Sequence, residues 1–496
     1  MRKWLIGVGV LVGLALVLLL AVRNAGPWAA LPTVDPIVRW NAEHADLVDN
    51  AAELYEQAFA RMVKPDEDLH KRLEDFPMWR EPLPPEIVAW IRANEPALEL
   101  ARQATQRERC WFKLERDAGN PLAGGPHLAD MRMLAKLFAW RAALAGESRD
   151  WAAMADYYVS VNKLGRHLTD SPFIGSALMG VACASWVESG ILRPFCWAEL
   201  SPVERVDYSG RLTPVFVEWP GFAAAMAGEQ DLTVWLVSTL PYSAAHRVLA
   251  PRERIAGEIV RSMQPLHQFA AASVEQHCDP ESPLLAQIEA MKVELTQASP
   301  FNLPRRLAGM IYGGYPQVLR LRARLVATQR GQRTVLELFA YHDRTGRFPA
   351  SLAELAIGTS MAAPTSSPRA TATGAAGPGA RLAPVDAPPF TIDPYTGQPF
   401  CYRLTDGGFI LYSAAADRDD DGGRHDTRFA EPPIGKTVIG LSGDYVFWPI
   451  QHAEDPSKST ATSTAAPESA PAEPPTGDGP QDGTSSDAEE LPLSGP

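Results

Sequence analysis

The distribution of hydrophobic and polar positions divides the 496-residue chain into four parts. Residues 4–22 carry no charged or strongly polar side chain, and residues 34–314 show apolar positions at the i, i+3, i+4 spacing of amphipathic helices. Residues 315–450 begin with the same spacing and then change to the alternation typical of β-strands. Residues 451–496 hold almost no large apolar side chain, so we expect a disordered tail.

The first part is long enough to cross a membrane. The run from Trp4 to Val22 contains nineteen residues, which as a helix spans about 28 Å, close to the hydrocarbon thickness of a bilayer. It exceeds the apolar run of a typical cleavable signal peptide, so residues 1–23 are predicted to be a retained signal-anchor. Arg2 and Lys3 precede it, which places the amino end in the cytoplasm and the bulk of the chain outside, on the extracytoplasmic or periplasmic side of the inner membrane.

The body, residues 34–314, is predicted to be an α-helical domain. An antiparallel helix pair is expected around Gly146, which would end the first helix, and this hairpin resembles a tetratricopeptide-type unit. A second apolar stretch, Phe173 to Val187, is shorter and rich in small residues, which indicates a buried helix. Metalloprotease, nucleophile-elbow, dinucleotide and phosphate-loop motifs are missing from the sequence, so no catalytic residue is predicted. A hydrolase with its site in this domain remains the alternative.

The third part, residues 315–450, begins as a long helix. One face of it holds Leu321, Leu325, Val335, Leu336 and Phe339. Gly346 is predicted to end the helix in a left-handed conformation, and Ser351 with Glu354 has the spacing of a capping box for a short second helix. Residues 358–389 are a low-complexity insertion.

The rest of this part predicts a small antiparallel sheet. Phe400, Tyr402 and Leu404 alternate with polar residues, a glycine-bearing turn follows, and Phe409 to Ser413 returns as the second strand of a hairpin. Asp444 to Pro449 can supply a third strand. The predicted fold class is therefore α+β: an N-terminal transmembrane helix, a helical body, and a long helix packed on a small sheet.

Composition narrows the function classes. The formal charge is −13, and the tail, with nine acidic residues and one lysine, accounts for −8 of it. The remaining chain is mildly acidic and has no block of basic residues, which argues against nucleic-acid binding. Five cysteines occur singly, without a CxxC pair, so neither a disulfide framework nor a zinc site is expected.

The strongest chemical signal is the stretch AADRDDDGGRHD, residues 415–426. Asp417, Asp419 and Asp421 are spaced as D-x-D-x-D and Gly422 follows, a spacing that can fold carboxylates around one hard cation. An EF-hand is excluded because Arg428 stands where its last ligand would be. From the residues alone, a solvated acidic loop without an ion is the favoured interpretation.

The order of motifs in residues 316–449 resembles the soluble domain of the major, G-type pseudopilins of type II secretion. The motifs are Y-x-x-x-x-G-R-F-P-x-S-L-x-E-L from Tyr341, D-P-Y-T-G-Q-P-F-x-Y from Asp393, G-F-x-L-Y-S from Gly408, the Asp/Gly loop, and an Asp opening the last strand. The chain departs from that family in carrying its apolar segment some three hundred residues upstream of the long helix, which makes assembly into a fibre doubtful.

The resemblance implies a calcium ion between the Asp/Gly loop and the last strand. The ligands it suggests are Asp417, Asp419, Asp421, Asp426 and Asp444, whereas Asp420 is expected to point outward. The predicted function is that of a membrane-anchored extracytoplasmic binding or scaffold protein without enzymatic activity, with an accessory role in a type II secretion or pilus-like system as the form that the resemblance implies. Envelope or secretion-apparatus proteins are its possible partners.

Overall fold

The computed structural model describes residues 27–75, 82–115, 125, 127–196, 200–239, 251–279, 281–299, 302–312, 315–358, 387–415, 418–425 and 443–450. The predicted membrane span, most of the low-complexity insertion and the acidic tail lie outside these residues, as do Asp417 and Asp426. Those predictions therefore stay predictions.

The described residues of the body are mostly helical. Its helices are α1 (Pro36–Glu43), α2 (Ala51–Arg61), α3 (Glu67–Asp75), α4 (Pro85–Ala93), α5 (Glu95–Ala104), α6 (His127–Glu147), α7 (Trp151–His167), α8 (Ile174–Ile191), α9 (Arg193–Cys196), α10 (Pro202–Arg211), α11 (Ala223–Thr239), α12 (Arg252–Ala271), α13 (Val274–Cys278), α14 (Pro283–Thr296) and α15 (Leu303–Tyr312). Short 3-10 turns cover Leu168–Asp170 and Thr213–Phe216.

Helices α6 and α7 form the predicted pair with a short connector. The prediction that Gly146 ends the first helix is wrong, because α6 continues through this buried glycine to Glu147. The reversal is made instead by Arg149, which has a φ of 57°. Asp150 then caps α7 by accepting a hydrogen bond from the backbone N–H of Ala153 at 3.0 Å.

Helix α8 confirms the interpretation of the second apolar stretch as a buried helix. The stretch Ile174–Cys196 is long and apolar enough to span a bilayer, but more than half of it is buried inside the protein. Cys183 and Val187 belong to one hydrophobic core, whereas Ile174 and Val181 belong to a second. Helix α8 therefore packs against both cores, and a narrow stripe of small residues stays exposed.

The long helix α16 runs from Tyr315 to Thr345 and ends as predicted, with Gly346 at a φ of 74°. Leu325, Val335 and Leu336 of the predicted stripe are buried and Phe339 is partly buried. Leu321 is 42% exposed, so the stripe does not extend that far.

The capping-box prediction after Gly346 is wrong. The Ser351 side chain makes no cap hydrogen bond to the turn that follows. Glu354 accepts instead from the backbone N–H of Ala350 at 2.7 Å and from the hydroxyl of Tyr341 at 2.6 Å. The chain therefore forms a 3-10 turn, Leu352–Glu354, before a single α-helical turn, α17 (Leu355–Gly358).

The sheet has three antiparallel strands in the order β1 (Cys401–Thr405), β2 (Gly408–Ser413) and β3 (Tyr445–Trp448). Cys401 pairs with Tyr412 and Thr405 with Gly408, which confirms the predicted hairpin. Strand β3 pairs with the second half of β2, where the register shifts between Leu411 and Tyr412. A 3-10 turn, Pro389–Thr391, precedes the sheet and packs on α16.

The helical body and the sheet share one hydrophobic core. It includes Tyr55, Phe138 and Leu164 from the body together with Leu336, Leu411 and Phe447 from α16 and the sheet. Helix α16 packs on β2 and β3 and also on α8, α10 and α13. The α+β class is confirmed, and the apolar core is continuous across the predicted boundary at residue 314.

Candidate functional site

The Asp/Gly loop leaves the end of β2 in a tightly turned backbone. Ala415 and Arg418 adopt positive φ angles of 54° and 61°, and Gly422 and Gly423 have φ angles of 74° and 85°. Left-handed conformations are costly for residues other than glycine, so the loop is held by its surroundings. Its described end returns to the sheet through a bridge between His425 and Asp444, directly before β3.

Asp444 is the most deeply buried carboxylate of the site, with a relative exposure of 0%. Its Oδ2 accepts a hydrogen bond from the backbone N–H of Gly423 at 2.7 Å. Its Oδ1 is buried and has no hydrogen-bond partner among the residues that the structure describes. Burial raises the pKa of Asp444, and the nearby negative charges of Asp420 and Asp421 raise it further, whereas the backbone N–H groups of Gly423 and Asp421 act in the opposite direction.

Asp420 fixes the loop to the sheet. The side chain is exposed, in line with the expectation that it points outward. Its Oδ1 nevertheless accepts from the hydroxyl of Tyr412 at 2.7 Å and from the backbone N–H of Gly422 at 2.9 Å. This carboxylate therefore holds the turn rather than lying free in solvent.

The other predicted ligands do not form a complete cluster in the described residues. Asp419 is exposed, whereas Asp421 keeps 23% of its side-chain surface exposed and pairs with Arg424 at 3.4 Å. Across the described ranges, no three His, Cys, Asp or Glu side chains are grouped closely enough to hold a metal ion. The two remaining predicted ligands, Asp417 and Asp426, lie outside those ranges.

The charge of the loop is incompletely balanced. Residues 417–426 contain five aspartates and two arginines. One of the arginines, Arg418, points toward the helical body, where its guanidinium donates to the carbonyl of Cys278 at 3.1 Å and lies 3.6 Å from the carboxylate of Asp279. Its charge is therefore shared with a carboxylate outside the loop, and the loop with Asp444 keeps a negative excess.

A second buried carboxylate, Asp393, lies beneath the start of this loop and was not predicted as a site residue. Its Oδ2 accepts from the hydroxyl of Ser413 at 2.7 Å, and its Oδ1 accepts from the backbone N–H of Tyr395 at 2.9 Å. The Ser413 oxygen accepts in turn from the N–H of Ala415. Burial raises the pKa of Asp393 to about 6. The only sequence signal is the turn-forming D-P-Y-T-G context, which does not reveal burial.

A small crevice in the helical body is lined by Cys110, Phe112, His127, His167 and Ser171. Its cavity of about 10 Å³ has room for about one water molecule. Burial lowers the pKa of each histidine to about 4 and raises the pKa of the Cys110 thiol well above its usual value. A thiolate is the reactive form of cysteine, so the crevice does not supply an activated nucleophile.

His167 illustrates how these polar groups are satisfied. Its two ring nitrogens lie 2.9 Å from the hydroxyl of Tyr55 and 3.0 Å from the carbonyl oxygen of Arg107. The His127 ring stacks on Phe112 at a centroid distance of 4.0 Å. The histidines therefore act as packing and hydrogen-bonding elements that join α2, α6 and α7 to the irregular segment between Arg107 and Phe112.

Comparison of the chain with known protein families, with characterised proteins and with solved structures returned no match. The resemblance to G-type pseudopilins therefore rests on the sequence motifs and their order.

Proposed function

We propose that the loop at residues 417–426 and Asp444 bind a calcium ion, and that the chain is a membrane-anchored extracytoplasmic binding or scaffold protein. The observation that carries this proposal is the Oδ1 atom of Asp444, which is buried and has no hydrogen-bond partner among the described residues. A buried carboxylate oxygen without a partner costs on the order of 1–3 kcal/mol or more. A cation bound to that oxygen removes this cost.

The donor set suits a hard cation. Carboxylate and carbonyl oxygens are the ligands that calcium prefers, and two neighbouring glycines give the loop the tight turn that such sites use. Among the described loop carboxylates, Asp420 is hydrogen-bonded to Tyr412 and Asp419 is exposed. Asp421 is partly buried, so we assign it to the site together with Asp444. Asp417, Asp419 and Asp426 complete the proposed set. The ion would hold the loop against β3.

The scaffold part of the proposal rests on how α16 is enclosed. The Arg322 guanidinium is buried and donates to the carbonyl of Trp219 at 3.0 and 3.1 Å, and Arg330 pairs with Glu275 at 2.7 Å. These contacts hold the first half of the helix to the body, and the Arg205–Asp343 pair at 2.7 Å holds its end. The helix is thus enclosed along its length rather than leaving a face for a neighbouring subunit. This favours an accessory or binding role over a subunit of a fibre.

Calorimetric titration of the full-length chain in detergent tests the ion site. Calcium is expected to bind with the affinity of extracellular sites, about 10⁻⁴ to 10⁻³ M, and at ten times the dissociation constant to stabilise the fold by about 1.4 kcal/mol. Magnesium should be a poor substitute because it keeps its waters and demands octahedral geometry. The proposed site is contradicted if the wild-type chain gives no heat of binding on addition of calcium and its free energy of unfolding is unchanged by calcium.

Two variants test whether Asp444 binds the ion or only supports the loop. Asp444→Asn should abolish the calcium response and be at least as stable as the wild type without calcium, because it removes a buried unpaired charge. Asp406→Asn, in the exposed hairpin turn, is the matched control and should keep the response. If Asp444→Asn is less stable with and without calcium to the same extent, Asp444 only supports the loop.

A further inference from the structure

The chain enters the folded body across helix α12. The backbone N–H of Ala29 donates to the carbonyl of Glu253 at 3.0 Å. At Gly257, one turn further along α12, an added Cβ would lie 2.3 Å from the carbonyl oxygen of Pro27. Only glycine allows this close backbone contact. Ala29 and Leu31 then pack against the second hydrophobic core, so residues 27–31 are fixed to the body.

This attachment lies very close to the predicted membrane span. Four residues, 23–26, separate Val22 at the end of the span from Pro27. Even fully extended, the five steps from Val22 to Pro27 cover at most about 17 Å. The headgroup layer takes up roughly 6 Å of that distance. Pro27, and with it Gly257 of α12, therefore cannot lie more than about one helix diameter beyond the lipid headgroups.

The first aromatic side chain after this tether is exposed. Trp28 has 49% of its surface accessible, and in the described part of the chain it is the one tryptophan classed as exposed. The body offers apolar interiors that enclose other tryptophans, such as Trp140 and Trp219. Tryptophan is enriched at the membrane–water interface, where its ring is apolar and its N–H stays hydrated.

We propose that the surface formed by Trp28 and the start of α12 lies against the bilayer that holds residues 4–22, with the Trp28 indole in the headgroup layer. The proposal rests on the membrane-anchor part of the proposed function and is independent of the calcium site. A lipid surface is the occupant because the short tether leaves at most about one helix diameter between the headgroups and this face, which is too little for a folded protein domain. The body is then docked on the membrane rather than extended away from it.

Site-specific photo-crosslinking of the full-length chain in liposomes tests this orientation. The photoreactive residue p-benzoylphenylalanine is placed at position 28 or, as the control, at Val203, which is 78% exposed on α10. Lipid adducts are counted by mass spectrometry, and membrane retention is measured by alkaline extraction. We expect several-fold more lipid adducts at position 28 than at 203. Insertion of a flexible Gly/Ser linker between Gly26 and Pro27 should reduce the adducts at position 28 without releasing the chain.

The outcomes separate this inference from the anchor itself. A chain that resists extraction but gives no more adducts at position 28 than at 203 overturns the docking and leaves the anchor intact. Adducts that are unchanged by the linker overturn the role of the short tether, and with it the proposal. A chain that is released by alkaline extraction overturns the anchor and the docking together.

Discussion

The ring of Phe447 in β3 lies directly against Gly331 of α16, so closely that a Cβ at position 331 would sit 2.4 Å from the ring carbons. Phe447 is buried, with 4% of its surface exposed, and belongs to the core shared by the body and the sheet. A glycine inside a helix lowers helix stability by about 0.5–1 kcal/mol relative to alanine. The close fit of the aromatic ring against the helix backbone offsets that cost and fixes the last strand to α16.

Gly331→Ala is expected to destabilise the protein in spite of its better helix propensity. The methyl group would displace the Phe447 ring, and such overpacking costs typically about 1–3 kcal/mol. Gly210→Ala in α10 is the matched control, because nothing lies within 4 Å of its added Cβ, and it should stabilise the protein by up to about 1 kcal/mol. Urea unfolding measures both variants. A Gly331→Ala chain as stable as the wild type would contradict this account of the helix–sheet contact.

The features that could be predicted from the sequence depend on neighbouring residues. The end of α16 at Gly346, the hairpin turn between β1 and β2, and the burial of α8 follow from glycine conformation and apolar spacing. The failures have tertiary causes. Gly146 lies inside α6 because Arg149 makes the turn. Glu354 does not form the predicted capping box because its carboxylate accepts a hydrogen bond from the Tyr341 hydroxyl.

The candidate site could be predicted only in part for the same reason. The D-x-D-x-D-G spacing marks the loop, but it does not reveal that Asp420 bonds to Tyr412, eight residues earlier. Nor does it reveal the burial of Asp393 beneath Ser413, because that pairing joins positions twenty residues apart. Long-range contacts decide which carboxylates are buried, and local patterns carry no information about them.

A bidentate ion pair joins the body to α16 and provides a second test of how the helix is held. The Arg205 guanidinium donates to both oxygens of Asp343 at 2.7 and 2.8 Å, and the Asp343 side chain is only 9% exposed. Arg205→Lys keeps the charge but loses the paired geometry, so we expect a loss of about 1–2 kcal/mol in unfolding free energy. Arg211→Lys, whose pair with Asp207 is exposed, should change stability by less than about 0.5 kcal/mol. Equal effects of the two variants would contradict the role assigned to Arg205.

Asp393 predicts a pH dependence. Burial raises its pKa to about 6, although its bonds to Ser413 and Tyr395 and the charges of Arg330 and Arg418 act in the opposite direction. An exposed aspartate has a pKa near 4. The folded state therefore binds the proton more tightly, and the contribution of Asp393 to stability is complete below about pH 4 and lost as the pH rises through about 6. The loss amounts to roughly 3 kcal/mol.

Asp393→Asn should lack this component of the pH dependence. The amide can still accept from the N–H of Tyr395 and can donate to the Ser413 oxygen. Urea unfolding between pH 4 and pH 7 should show the wild type losing stability relative to the variant across that interval. Asp406→Asn in the exposed hairpin turn is the control and should follow the wild type. A wild type and Asp393→Asn variant with parallel pH profiles would contradict the assignment.

The hydroxyl of Tyr412 gives the last test, because it links the fold to the proposed ion site. Tyr412→Phe removes the 2.7 Å bond to Asp420, and without calcium this should cost about 0.5–1.5 kcal/mol in unfolding free energy. The loop is then less ordered before the ion binds, so calcium affinity should fall as well. Tyr402→Phe is the matched control: it removes a 2.8 Å bond from a neighbouring strand to the carbonyl of Pro349, away from the loop. It should cost similar stability and leave calcium affinity unchanged. Calcium titration measures the affinity of the two variants. An equal fall in affinity for both would mean that the Tyr412–Asp420 bond has no specific role in forming the site.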